Sequence, residues 1–187
     1  MDIQLIHGDS LQALKGYGDN HFDVAIVDPP YGIGRSGQTE TFTKDANHKR
    51  KYFADKGWDK QIPPAEYWNQ LFRVSKNQIV FGANYFTKYL PPSKGWIVWH
   101  KAQKLSMSDG ELAYTSFNRP LRIVEINRGF LAVEGGTIHP TQKPIKLYRW
   151  IIDKYTSEGD LILDTHLGSG SIAIACHQMK RKLIGYG

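Results

Sequence analysis

Two short apolar runs, each ending in a carboxylate, set the strongest limit on how this chain can fold. FDVAIVD at residues 22–28 and DLILD at residues 160–164 lack the alternation of a strand with one wet face. Continuous apolar runs of this length fit strands buried on both sides, as in parallel sheets covered by helices. Helix-like spacing recurs between such runs. A helix is expected over LQALKGY with Ser10 as its cap, and another over EYWNQLFRVSK, residues 66–76. Two more are expected over PIKLYRWIIDKYTS, residues 144–157, with Pro144 in the first turn, and over IAIACHQMK. Further strands are expected just before Gly8-Asp9-Ser10, in NQIVFGAN, GWIVWHK (95–101), ELAYTSF (111–117), LRIVEI (121–126) and RKLIGYG.

Strands alternating with helices point to an α/β domain with a mainly parallel sheet. Ligands of such sheets bind off the carboxyl ends of the strands, and both Asp28 and Asp164 project from that edge. At 187 residues the chain fits one domain, with no internal repeat or low-complexity tract. Residues 32–62 carry no apolar periodicity and hold KDANHKRKYFADK, which reads as a long, mobile, basic loop. A formal charge of +6 makes an anionic partner plausible without identifying it. Cys176 is the sole cysteine, so an internal disulfide or a Cys-rich zinc site is excluded. No apolar run approaches the roughly 20 residues of a membrane-spanning helix. The N-terminus lacks the layout of a secretory signal. A cytoplasmic setting is therefore expected, with no membrane partner.

Three segments carry chemistry. Asp28-Pro29-Pro30-Tyr31 is a stiff row of hydrogen-bond acceptors beside an aromatic face. The prolines have no N–H and leave their carbonyls free, and an ionised Asp28 can only accept. Such a row suits a flat ring bearing an NH2 group, although a surface turn uses the same residues. In DTHLGSGS, residues 164–171, Gly168 and Gly170 let the backbone approach a ligand ahead of a helix N-terminus. By itself a GSG fits a tight turn equally well, and the spacing is neither a dinucleotide fingerprint nor a phosphate loop. IHPTQKP, residues 138–144, reads alone as a polar loop before a helix. No ligand pair at helical spacing from His139 favours zinc, and His7, His100 and His166 read as structural.

In combination and in this order, the segments resemble the β class of S-adenosylmethionine-dependent DNA amino-methyltransferases. The matching residues are Asp28 to Tyr31, His139 to Pro144 and Asp164 to Ser171, and GDSLQAL (8–14) is similar to the family's opening segment. The resemblance covers nearly the whole chain. It implies a Rossmann-like, seven-stranded sheet in permuted order, mostly parallel with one antiparallel strand and helices on both faces. It implies a single catalytic domain over 1–187, with a short target-recognition segment at about 118–137.

By the same resemblance Asp28, Pro29, Pro30 and Tyr31 are catalytic. Asp28 and the Pro29 carbonyl would accept the two N–H groups of a flipped-out base, and Tyr31 would stack on it. The cofactor S-adenosylmethionine would touch Asp9, Asp28, Lys143, Asp164, His166, Gly168, Ser169 and Gly170, with Lys143 facing its carboxylate. Double-stranded DNA is the implied partner, with Arg35, Lys44, Lys49, Arg50, Lys51 and His48 of the basic loop as phosphate contacts. The family makes a bacterial or phage origin plausible. A homodimer is left open.

The chain departs from the family pattern in three places. Asp164-Thr165-His166-Leu167 stands where the family has a proline and an aromatic, with His166 as the replacement contact. RKLIGYG stops where the family's next strand brings an acid to the cofactor ribose. The recognition segment is short. DPPY goes mostly with N6-adenine in the family, so adenine is favoured over N4-cytosine. RNA methylation, an idle DNA-binding module of the same fold and, least of all, a dehydrogenase remain as alternatives.

Overall fold

The computed structural model describes residues 2–37, 53–102, 108–136 and 138–187. Eight strands form one sheet: β1 (Ile3–Ile6), β2 (Phe22–Val27), β3 (Ser75–Phe81), β4 (Trp96–His100), β5 (Gly110–Thr115), β6 (Arg122–Glu125), β7 (Leu161–Asp164) and β8 (Lys182–Tyr186). Their order is β1-β8-β7-β2-β3-β5-β4-β6. Every neighbouring pair is parallel except the two made by β5, which runs against both β3 and β4. The Rossmann-like sheet with one reversed strand is thus as expected. It has an eighth strand because Arg122–Glu125, inside the expected recognition segment, pairs along β4 at the far edge.

The helices are α1 (Ser10–Lys15), α2 (Ala65–Val74), α3 (Phe130–Val133), α4 (Ile145–Tyr155) and α5 (Ser171–Gln178). In β2, Val24 and Ile26 join a core with Ile151 and Ile152 of α4 and Ala175 and Cys176 of α5. Ala25 and Val27 point the other way, into a core with Leu14 of α1 and Tyr67, Trp68 and Leu71 of α2. Alternate residues of one apolar run therefore serve two cores, as a period of two requires. Pro144 precedes α4 in extended conformation, where its fixed φ and missing N–H cost nothing. The cap of α1 is Asp9, one residue earlier than expected: its Oδ1 accepts from the backbone N–H of Leu11 at 2.8 Å and of Gln12 at 3.3 Å.

The topology opens a crevice between β2 and β7. These strands are hydrogen-bonded neighbours, with Ala25 opposite Leu163. After β2 the chain continues to α2 on one face, whereas after β7 it enters α5 on the other. Chain segments that diverge in this way leave room off the carboxyl edge, at a topological switch point. Asp28 and Asp164 both stand at that crevice.

Ile151 is fully buried beneath the sheet. Ile151→Ala is expected to cost about 2–5 kcal/mol of unfolding free energy in urea titrations, the usual range for emptying a core site.

Candidate functional site

Asp28 follows β2 directly, and its carboxylate is held from two sides. The Tyr31 hydroxyl donates to Oδ1 at 2.6 Å, and the Lys143 ammonium donates to Oδ2. An ionised carboxylate offers about four lone-pair sites, so each oxygen retains one for a ligand. The Tyr31 ring needs Gly82, whose φ is 64° and where a Cβ would fall 2.2 Å from the ring. Tyr85 stacks on the same ring with centroids 5.0 Å apart and an interplanar angle of 16°. Burial, then the charges of Asp28 and Glu111, push the Tyr31 phenol well above its ordinary range, which keeps it a donor.

Lys143 is the hub of a chain of charges. Its side chain is only 3% exposed, and its Nζ lies 3.3 Å from Glu111 Oε2 and 4.6 Å from the Phe81 ring centroid. Glu111 Oε1 pairs in turn with Lys101 Nζ at 2.8 Å. Burial alone would lower Lys143, but Asp28 and Glu111 outweigh it and raise the ammonium above its usual value. Burial would likewise raise Glu111, but Lys143 and Lys101 outweigh it and hold the carboxyl below its usual value.

Across the crevice, burial pushes Asp164 up to about 7, with nearby Asp28 adding to the rise, although the His166 N–H donates to its Oδ1 at 2.9 Å. Burial also pushes His166 down to about 4, so it is neutral at pH 7. The Thr165 hydroxyl links His166 Nδ1, at 2.9 Å, to the Tyr67 hydroxyl, at 2.6 Å. His139 stacks on Trp58 with centroids 5.4 Å apart and packs over the Gly168 turn. Asp59, buried, accepts from the backbone N–H of Gly32 at 2.9 Å and of Arg35 at 2.7 Å. It thereby ties the turn after Tyr31 to the far end of the basic segment.

Two cavities meet at this carboxyl edge. The smaller, about 380 Å³, is lined by the loop after β1, the turn after β7 and the segment around His139. The larger, about 990 Å³, lies over Pro29, Tyr31, Tyr85 and Glu111. Asp28, Pro30, Trp58, Thr141, Gln142 and Lys143 line both. Each volume is within the range of roughly 300–1,000 Å³ usual for ligand sites.

Of the residues expected at the cofactor, Asp9, Asp28, Lys143, His166, Gly168 and Ser169 line the smaller cavity. Asp164 and Gly170 are not among its lining residues: Asp164 braces the turn from behind, and Gly170, with φ of 72°, caps α5. Lys143 engages Asp28 and Glu111, not open solvent. Pro29, Pro30, Tyr31 and Arg35 line the larger cavity. Lys44, His48, Lys49, Arg50 and Lys51 lie outside the described residues. The ends of the expected loop are well anchored, through Asp59 and through Trp58. Sequence reasoning missed Trp58, Lys101, Glu111 and Tyr148. The only signal for Glu111 was its place at the start of a strand. Among the described residues no group of three or more metal-ligating side chains is present, and no helix is long and apolar enough to cross a membrane.

The sequence profile of a family described as DNA methylase, the N6/N4 methyltransferases, matches residues 91–187. The type II methyltransferase M2.DpnII of Streptococcus pneumoniae is 47% identical over an alignment spanning 97% of this chain and 83% of its own. Among solved structures, the M1.HpyAVI–SAM complex superposes with a TM-score of 0.64 at 20% identity, covering 98% of this chain and 92% of that one. The PvuII DNA methyltransferase, titled cytosine-N4-specific, gives a TM-score of 0.61 at 16% identity and covers 100% and 82%.

Asp164 yields a test of the site's electrostatics. Its folded value of about 7 lies above its unfolded value of 3.8. Its contribution to stability is therefore present below pH 4 and lost as pH rises through 7. Asp164→Asn keeps the acceptor for His166 but cannot ionise. Without ligand, its Tm should match that of the parent near pH 4 and exceed it at pH 8, by up to about 4 kcal/mol of stability. A gap independent of pH would contradict the assignment.

Proposed function

The chain belongs to the N6/N4 DNA methylase family, and from that premise we propose that it methylates the N6 amine of adenine, extruded from duplex DNA, using S-adenosylmethionine. The observation that carries this reading is the shared wall of the two cavities. A donor in one and a base in the other would meet at Asp28, Pro30 and Lys143.

The residues of the smaller cavity suit the cofactor. Asp9 and the glycine turn at Gly168 offer polar and backbone contacts, while Trp58, His139 and Tyr148 supply ring and apolar surface. Bound there, S-adenosylmethionine supplies a methyl group already activated by a sulfonium. Asp164 supports the turn from behind, and His166, neutral at pH 7, adds an uncharged wall.

The chain's own part is to prepare the nucleophile. The lone pair of an exocyclic amine is delocalised into the base. Accepting its two N–H hydrogens, at an Asp28 oxygen and at the Pro29 carbonyl, directs that lone pair out of the ring plane toward the shared wall. Tyr31 and Lys143 fix the carboxylate in advance, which is the preorganisation that makes such acceptors effective. One face of Tyr31 already carries Tyr85, so a base entering the larger cavity would extend an existing aromatic stack, worth roughly 1–3 kcal/mol per base. Arg35 on the cavity rim, with the basic segment that follows, would meet phosphates. A solitary catalytic domain, a recognition function for residues 118–137 and a place in a restriction–modification system are parts of the same proposal, the last from the names of relatives.

Methylation of cytosine N4 is the second reading, favoured by the fold likeness to the PvuII enzyme. Both bases present the same amine to the same acceptors. Incubation with S-adenosylmethionine and unmethylated duplex DNA, followed by mass spectrometry of nucleosides, separates the two. N6-methyladenosine is expected. N4-methylcytosine would change the base and keep the acceptor logic, and the absence of both products would overturn the reading. Asp28→Ala should reduce transfer at least about 100-fold while DNA affinity in a gel-shift assay stays within about threefold.

A further inference from the structure

The reversed strand β5 brings a second carboxylate to the active edge. Parallel strands present only their C-terminal ends there, but β5 runs the other way and presents its first residues, Gly110 and Glu111. The approach is close: a Cβ at Gly110 would lie 2.6 Å from the Trp99 carbonyl oxygen. Lys101 follows β4 beside it, and its N–H donates to the Asp109 carbonyl at 2.8 Å. The result is the alternating row Lys101–Glu111–Lys143–Asp28, with two positive and two negative side chains. Glu111 Oε2 is buried and makes no hydrogen bond among the described residues; its 3.3 Å approach to Lys143 Nζ is an ion pair without hydrogen-bond geometry. A carboxylate oxygen withdrawn from water in this way is costly unless a charge compensates it. The compensating charge is Lys143, which Glu111 thereby holds together with Asp28.

We propose that Glu111, backed by Lys101, is a positioning residue for methyl transfer: through Lys143 it fixes the rotamer of the Asp28 carboxylate at the junction of the two cavities. The proposal rests on the methyltransferase reading and adds to it a residue that lines the larger cavity but not the smaller. Glu111 is expected to touch neither cofactor nor reacting amine. Its effect therefore falls on turnover and not on cofactor affinity. It also leaves a titration signature. Lys143 is faced by Asp28 and Tyr31 from the segment after β2, by Glu111 from β5, and at longer range by His139 and Asp164. Removing one of its two nearby anions makes the ammonium easier to deprotonate.

Glu111→Gln and Glu111→Asp, compared with the unaltered chain, provide the test. For Glu111→Gln, kcat should fall about 100-fold, the scale of a misplaced catalytic group. The Kd for S-adenosylmethionine by calorimetry should stay within twofold, and the alkaline limb of the kcat–pH profile should move to lower pH. Glu111→Asp should recover part of kcat. Unchanged kcat and an unchanged alkaline limb in an active Glu111→Gln protein would overturn the proposal. An inactive parent chain would count against the methyltransferase reading instead. The link between Glu111 and Lys143 is then read without activity, by ¹⁵N NMR of the lysine ammonium groups with Lys143→Arg for assignment. The Lys143 signal should persist to higher pH in the parent than in Glu111→Gln, and coincident titrations would overturn the link.

Discussion

An ion pair between the buried Lys143 and the half-buried Asp28 is the constraint on which the rest of the site depends. The Lys143 ammonium, withdrawn from water, depends on the two carboxylates beside it, because an unpaired buried charge is heavily destabilising. The pair joins two segments 115 residues apart in sequence, the turn after β2 and the approach to α4. Lys143 stands immediately before Pro144, which enters α4 in extended conformation and biases the backbone of Lys143 away from the helical region. Glu111 and Lys101 extend the pair into a row of balanced charge, so the site holds four ionic groups without a large local excess of either sign. The result is a carboxylate held by Tyr31 on one oxygen and Lys143 on the other, with capacity left on both.

Much of this architecture is legible in the sequence. FDVAIVD and DLILD announce two-sided strands, and the acids that end them mark the functional edge before any topology is known. The acceptor character of Asp28-Pro29-Pro30 follows from proline chemistry alone. Other features depend on register, which local pattern does not carry. Glu111 looks like an ordinary first residue of a strand until β5 is known to be reversed; only the reversal turns that residue toward Lys143. Trp58 lies in a stretch with no periodicity, and its stack on His139 joins segments distant in sequence. Asp9 and Ser10 are both good helix caps, and a one-residue shift decides which side chain caps α1 and which begins it.

The two cavities differ in the chemical character of their linings. The smaller combines the backbone of the positive-φ Gly168 with a neutral, half-buried histidine, a surface suited to a ligand that brings its own charge. The larger is lined by Tyr31, Tyr85 and Trp99 and by the four side chains of the charged row. In the proposed reading a planar base would stack on that wall, while the acceptors at Asp28 and Pro29 would address the exocyclic amine that adenine and cytosine both carry. On that reading the acceptors would serve either base, and the identity of the base would be left to contacts elsewhere on the cavity wall.

The most direct test of the account is a crystal structure with a non-transferring analogue of S-adenosylmethionine and duplex DNA. The account predicts the analogue in the smaller cavity and an extruded base in the larger. The exocyclic amine should lie about 3 Å from both an Asp28 oxygen and the Pro29 carbonyl, with Lys143 still bridging Asp28 and Glu111. A base bound with its amine away from Asp28, or an analogue outside the cavity between the β1 loop and the Gly168 turn, would contradict it.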